Sequence, residues 1–238
     1  ELKTRLGEDR RFFSYFHPAL EDEPIIFVQV ALTNGLGKSI QEITKPRSDG
    51  DKKYDTATFY SISNCQEGLS RVTFGNFLIK RVVFEIQEEL PNIKHFGTLS
   101  PIPGFRDWFS YLEDVKIKNI LGEIPLENIS FLKSTDLKVG DPRIVSNKEA
   151  ITKLVAHYLM NEKNHKQLPI NDVCRFHLGN GAIIDDIVIN ANVSEVGLNR
   201  SFGVMVNYLY ELKNIEKNHE EYINNKTIII SDKLKKII

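Results

Sequence analysis

The chain is short of cysteine, of net charge and of long apolar runs, and each shortage excludes a class of protein. Only Cys65 and Cys174 occur in 238 residues, too few for the disulfide framework of a small secreted domain. Neither cysteine lies at zinc-ligand spacing from a histidine, so no metal site is expected. A reducing compartment fits best: the cytoplasm, with an organellar matrix as the alternative. The formal net charge of −1, from 31 basic and 32 acidic side chains, gives no long-range field to gather polyanions, and no basic stripe replaces it. Nucleic acid is not an expected partner. The longest apolar stretch, Ile25 to Leu32, is broken by Gln29 and falls far short of the roughly 20 residues a membrane helix needs. No membrane partner is expected either. The chain opens on Glu1 rather than Met and contains no apolar signal region, so an excised N-terminus is expected, and the terminal KLKKII is no recognised address.

What is present is enough apolar residue, 41%, to build one large domain or two small ones. Residues 11–18 and 24–32 are aromatic and β-branched and flank a polar LEDE connector, which predicts a hairpin. Residues 33–55, with Gly35, Gly37, Pro46 and Gly50, read as a surface loop, and 56–63 as a buried strand. From Gly75 the period changes: Leu78, Val82, Ile86 and Leu90 recur every four residues, an amphipathic helix that Pro91 should end. A short strand follows at 95–100, then the rigid turn Pro101-Ile102-Pro103-Gly104. Residues 105–145 show no sustained period. Ser146 with Glu149 reads as a capping box for a helix through AITKLVAHYL. A short helix opening at Asn171, two late strands (181–189 and 204–210) and a fraying polar tail complete the expectation. This is a mixed α/β fold with a central sheet flanked by helices.

The junction TFYSISNCQEGLSRVTFGNFLIKRVV is the most informative segment. A strand runs through a small polar stretch directly into a helix, so free backbone N–H groups and the positive helix end converge where a phosphate could bind. It is neither a Walker loop nor GxGxxG. The order strand, turn, helix, strand resembles the N-acetyltransferase (GNAT) fold, whose turn holds the pyrophosphate of coenzyme A. That family's pattern would fall on Ser70 to Gly75, matching only at Gly75.

A closer resemblance rests on FHPAL with EPIIFVQVALT (17–33), FYSISNCQEGL (59–69), GNFLIKRVV (75–83), TLSPIPGF (98–105), FHLGNGA (176–182) and GVMVNYLY (203–210). In this order the blocks are similar to the catalytic domain of malonyl-CoA decarboxylases, which has a GNAT-like core. The resemblance implies a single catalytic domain over 1–238, without the family's N-terminal helical domain, acting on malonyl-CoA to give acetyl-CoA and CO2. It implies Ser100 and His177 as the catalytic pair, with Tyr210 also at the active site. It places CoA binding on Ser70, Arg71, Val72, Thr73, Phe74, Gly75 and Asn76, where Thr73 stands in place of a glutamate that some members carry. No cofactor is expected, CoA being part of the substrate, and a homo-oligomer would fit the family. An N-acyltransferase on the same fold and a non-catalytic acyl-CoA-binding module are the competing readings. His177, near the end of its predicted short helix, is expected to favour the imidazolium through the helix dipole.

Overall fold

The computed structural model describes residues 7–45, 54–65 and 75–238. Strands β1 (Arg10–His17) and β2 (Leu20–Thr33) pair antiparallel from Arg10↔Ala31 to His17↔Leu20. The predicted hairpin forms, but LEDE is not its connector. Those four residues open β2, the turn is Pro18-Ala19, and register shifts between Tyr15 and His17 absorb the unequal lengths. Within the expected loop lies a short helix α1 (Ile40–Thr44), capped by Ser39 and buried at Ile43; residues 46–53 lie outside the described residues. Strand β3 (Thr56–Asn64) follows as predicted. Helix α2 (Gly75–Glu89) stops just ahead of Leu90-Pro91 and buries Leu78, Ile79, Val82, Val83 and Ile86.

The strand expected at 95–100 is interrupted at Leu99, giving β4 (His95–Thr98) and β5 (Ser100–Pro101). The aperiodic region then proves helical: α3 (Phe105–Ser110), α4 (Asp114–Leu121), α5 (Glu127–Ser130), a 3₁₀ turn (Phe131–Lys133) and α6 (Pro142–Ser146). Helices of one or two turns bury only one or two apolar residues each, such as Phe105 and Phe109 or Ile117 and Leu121. A period needs more turns to show itself. Helix α7 (Lys148–Met160) is present, but the capping box is not. Ser146 is the last residue of α6 and donates to the Pro142 carbonyl (3.2 Å), while Asn147 turns the chain and donates to the Arg143 carbonyl (2.9 Å).

Helix α8 (Asp172–Gly179), strand β6 (Ile183–Val188), helix α9 (Glu195–Ser201) and strand β7 (Met205–Leu209) lead to α10 (Ile215–Asn225) and α11 (Asp232–Lys235). The tail expected to fray is instead docked. Ile215, Tyr222, Ile230 and Leu234 are buried, and Ile230 bridges in parallel to Ile184 of β6.

The sheet runs β1-β2-β3-β4-β7, with β5 continuing β4 in the same register along β7 and β6 pairing β7 from Ile183↔Leu209 to Val188↔Met205. Only the β3–β4 pair is parallel, from Thr56↔His95 to Phe59↔Thr98. Its last bond is Leu99 N–H to the Phe59 carbonyl (2.9 Å). Beyond it β3 stays with β2 as far as Asn64, whereas Ser100 and Pro101 follow β7. The two parallel neighbours part, and a wedge opens between them.

Candidate active site

The wedge holds a cavity of about 520 Å³. Its walls are Tyr60 to Ser63 of β3, Leu78 of α2, Thr98 to Pro101, and one face of α8 bearing Asp172, Val173, Phe176 and His177, with Arg200 of α9 beside them. Ser100 and His177 meet on this wall: Ser100 Oγ lies 2.9 Å from His177 Nε2.

Local sequence explains why they meet. Asn171 caps α8, its side-chain oxygen accepting from Cys174 N–H (2.8 Å), while its amide donates to the Pro103 carbonyl (2.9 Å). Tyr158 donates to the same carbonyl (2.9 Å). One carbonyl of the Pro101-to-Gly104 turn thus ties the segment carrying Ser100 to the start of the helix carrying His177. The other end of α8 is fixed by Gly181, whose φ is +80° and where any Cβ would lie 2.1 Å from the Ile215 carbonyl oxygen. A position two residues beyond the helix must be glycine for α10 to close on it.

The polar groups form one buried string. Ser100 donates to Thr98 Oγ1 (2.8 Å), which leaves its oxygen to accept from His177 Nε2–H (2.9 Å), and Nδ1 then accepts from the Tyr210 hydroxyl (2.8 Å). This proton order selects the Nε2–H tautomer and a neutral ring. His177 stacks on Tyr208, with ring centroids 4.5 Å apart, and is only 3% exposed. The helix-dipole expectation fails here. Desolvation pulls the imidazole pKa from 6.5 down to about 3, and no carboxylate among the described residues faces the ring to compensate for burial. Tyr208 and Tyr210 are pushed well above the usual phenol value for the same reason.

Of the residues anticipated from sequence, Ser100 and His177 line the cavity, while Tyr210 stands behind His177 and touches only its far nitrogen. Ser70 to Phe74 lie outside the described residues, and Gly75 and Asn76 open α2. Three participants went unnoticed. Thr98 stands two residues before Ser100, so strand periodicity alone put it on the same face. Asn171 was visible as a cap, but its second bond to Pro103 was not. Arg200 gave no signal: it sits in a polar helix with no motif. Among the described residues no group of three His, Cys, Asp or Glu side chains is placed to hold a metal, and no helix is long and apolar enough to cross a membrane.

A mixed sheet whose parallel pair splays, with a helix crossing between the two splayed strands, defines a GNAT-like α/β protein, and a hydroxyl–imidazole pair lies in the gap. A family model described as the malonyl-CoA decarboxylase C-terminal domain matches residues 1–238. The mitochondrial malonyl-CoA decarboxylase of Anser anser anser is 36% identical over 98% of this chain and 51% of its own length; that of Rattus norvegicus is 36% identical over 100% and 53%. The crystal structure of malonyl-CoA decarboxylase from Rhodopseudomonas palustris superposes with a TM-score of 0.87 at 39% identity, covering 99% of this chain and 55% of that one. The chain belongs to the malonyl-CoA decarboxylase C-terminal domain family, and it spans about half the length of the curated relatives it matches.

Proposed function

We propose that the chain decarboxylates malonyl-CoA to acetyl-CoA and CO2, with Ser100 and His177 as the catalytic residues. The observation that carries this reading is the 2.9 Å contact of their side chains on the wall of the cleft between the splayed strands. The thioester enters along the wedge. The phosphates of CoA are assigned to the Ser70–Asn76 stretch and the free N–H groups that begin α2.

The chemistry is heterolysis of the bond between the carboxyl carbon and C2. The bonding electrons pass to C2 and the thioester carbonyl as an enolate, CO2 departs, and C2 takes one proton. Ser100 turns its hydroxyl from Thr98 to the substrate carboxylate and holds it against His177. Burial keeps the ring of His177 neutral where no anionic group among the described residues faces it; the substrate carboxylate supplies one and favours the imidazolium, so a proton is taken up from water with the substrate. Tyr210 serves both forms, its oxygen donating to Nδ1 or accepting from Nδ1–H. When CO2 leaves, the negative charge passes from the carboxylate to the enolate, whose C2 is a far stronger base. A buried imidazolium is a strong acid, and it returns the proton to C2, which balances malonyl-CoA plus one proton against acetyl-CoA plus CO2. The basicity arises at the moment it is needed.

The test is to mix the protein with malonyl-CoA and no acceptor, and follow acetyl-CoA and CO2. Turnover is expected. Ser100→Ala and His177→Asn should each lower kcat by about 10³-fold, within the range for loss of a positioned proton-transfer group, while the folded state survives. Near-wild-type turnover in either variant refutes the assignment, and acyl transfer seen only with an amine acceptor refutes the reaction.

A further inference from the structure

Arg200 is held at the cavity but left uncommitted. Its backbone is fixed on both sides. Phe202 closes α9 in the left-handed conformation (φ +55°), its ring buried edge-on against Phe105 and Phe109 at centroid distances of 5.9 and 5.8 Å. A non-glycine residue keeps that conformation only where packing enforces it. Ser201 donates to the Val204 carbonyl (2.6 Å), and the Arg106 guanidinium donates to the Leu198 carbonyl (3.2 Å). The guanidinium of Arg200 itself, by contrast, has no ion pair or hydrogen bond among the described residues, and it is exposed to solvent. The other ionisable groups on the wall carry no free charge: Asp172 is paired with Arg175, and His177 is neutral. Among the described residues the cavity therefore presents one uncompensated positive charge, on the side of Ser100 and Pro101, since α9 packs on β5 and α3. β3 and α2, the described elements that flank the expected phosphate-binding stretch in sequence, line the cavity through Tyr60 to Ser63 and Leu78.

We propose that Arg200 is the specificity determinant for an acyl group ending in a free carboxylate, a reading that rests on the proposed decarboxylation at Ser100 and His177. A guanidinium matches a carboxylate through two parallel N–H donors. Malonyl and acetyl thioesters differ only in that group, so Arg200 favours substrate over product. Once the carboxylate has left as neutral CO2, the handle is gone and acetyl-CoA dissociates more readily. Because the charge is still partly on the departing group in the transition state, the contact acts on binding more than on the chemical step.

The experiment compares Arg200→Ala and Arg200→Lys with the wild type, with CoA, acetyl-CoA and malonyl-CoA as probes. Affinities are measured by calorimetry in the His177→Asn background, where turnover is suppressed. Arg200→Ala should weaken malonyl-CoA about tenfold, the size of one charge-assisted hydrogen bond at a half-open site, and leave CoA and acetyl-CoA unchanged. Arg200→Lys should recover part of the loss. In steady state Arg200→Ala should raise KM about tenfold with kcat within about twofold of wild type. Equal weakening of all three probes would mean a phosphate contact, and no weakening of any would mean a solvated surface arginine; either result overturns the proposal. A wild-type protein that selects malonyl-CoA through Arg200 yet releases no CO2 would leave this inference standing and remove the decarboxylase reading instead.

Discussion

Two buried polar clusters in this molecule follow opposite designs. At the start of β1, Asp9 and Arg10 form an ion pair (2.7 Å) with side chains 3% and 1% exposed, and Arg10 also donates to the Lys45 carbonyl (2.7 Å), which clamps the end of α1 to the sheet. Along the wedge, Thr98, Ser100, His177 and Tyr210 form a string with no formal charge, every link between 2.8 and 2.9 Å. The first cluster is charged and sealed, the second neutral and open to a cavity. Charges removed from water must be paired on the spot, and the pairing makes them inert. Neutral donors and acceptors tolerate burial while keeping freedom to reverse a proton, which is what a reaction requires. A buried ion pair is therefore a poor guide to an active site, and a buried neutral string facing a void is a better one.

The contrast can be broken at either end. The largest expected effect at neutral pH is structural: Arg10→Ala strands the Asp9 carboxylate without its partner and should cost about 3 kcal/mol, read by urea unfolding, while kcat per folded molecule stays at the wild-type level. Loss of turnover without loss of stability would reverse the roles assigned here. Next comes pH. The native imidazole of His177 titrates near 3 and the denatured one near 6.5, so the unfolded chain binds the extra proton between those values. The His177 contribution is complete above pH 6.5 and is lost as pH falls towards 3, at up to about 1.4 kcal/mol per pH unit. The stability difference between wild type and His177→Asn should therefore change in that window and stay flat above it; a difference independent of pH from 7 to 4 would show that the ring is not held neutral. The smallest effect is at Tyr210. Tyr210→Phe keeps the ring but removes the partner of Nδ1, for a stability loss of about 1 kcal/mol and a fall in kcat of about tenfold. As a positioning residue, Tyr210 should also shift the pH–rate profile; an unchanged profile would reduce it to packing.

How much of this was legible in the sequence depended on length. Long elements announced themselves, α2 through its four-residue period and the β1–β2 hairpin through its aromatic strands, while the short α8 was marked only by its Asn171 cap. The failures share a physical cause. The helices from Phe105 to Ser146 are too short to display a period, and the C-terminal segment was dismissed on average polarity although Ile215, Tyr222, Ile230 and Leu234 suffice to dock it. Ser146 and Glu149 fit a capping box, yet a helix already occupied Ser146 and the turn fell to Asn147. At the site, the family resemblance supplied Ser100, His177 and Tyr210, but not the protonation of the ring. A helix dipole is a local property readable from spacing, whereas desolvation depends on Tyr208, Phe176 and a sheet assembled from distant segments, and it outweighs the dipole at full burial. Arg200 was invisible for the same reason: its meaning comes from where α9 is anchored, not from its neighbours in the chain.

Pro101 and Pro103 give the wedge a further property. Neither has an N–H to donate, so the segment after Leu99 cannot complete the hydrogen-bond ladder towards Ser61 and Ser63 even if the two strands were pressed together. The gap is kept open by covalent structure rather than by an occupant. Closing the gap would leave the ladder without those donors, so a zipped-shut arrangement is disfavoured and takes little from the affinity for a thioester.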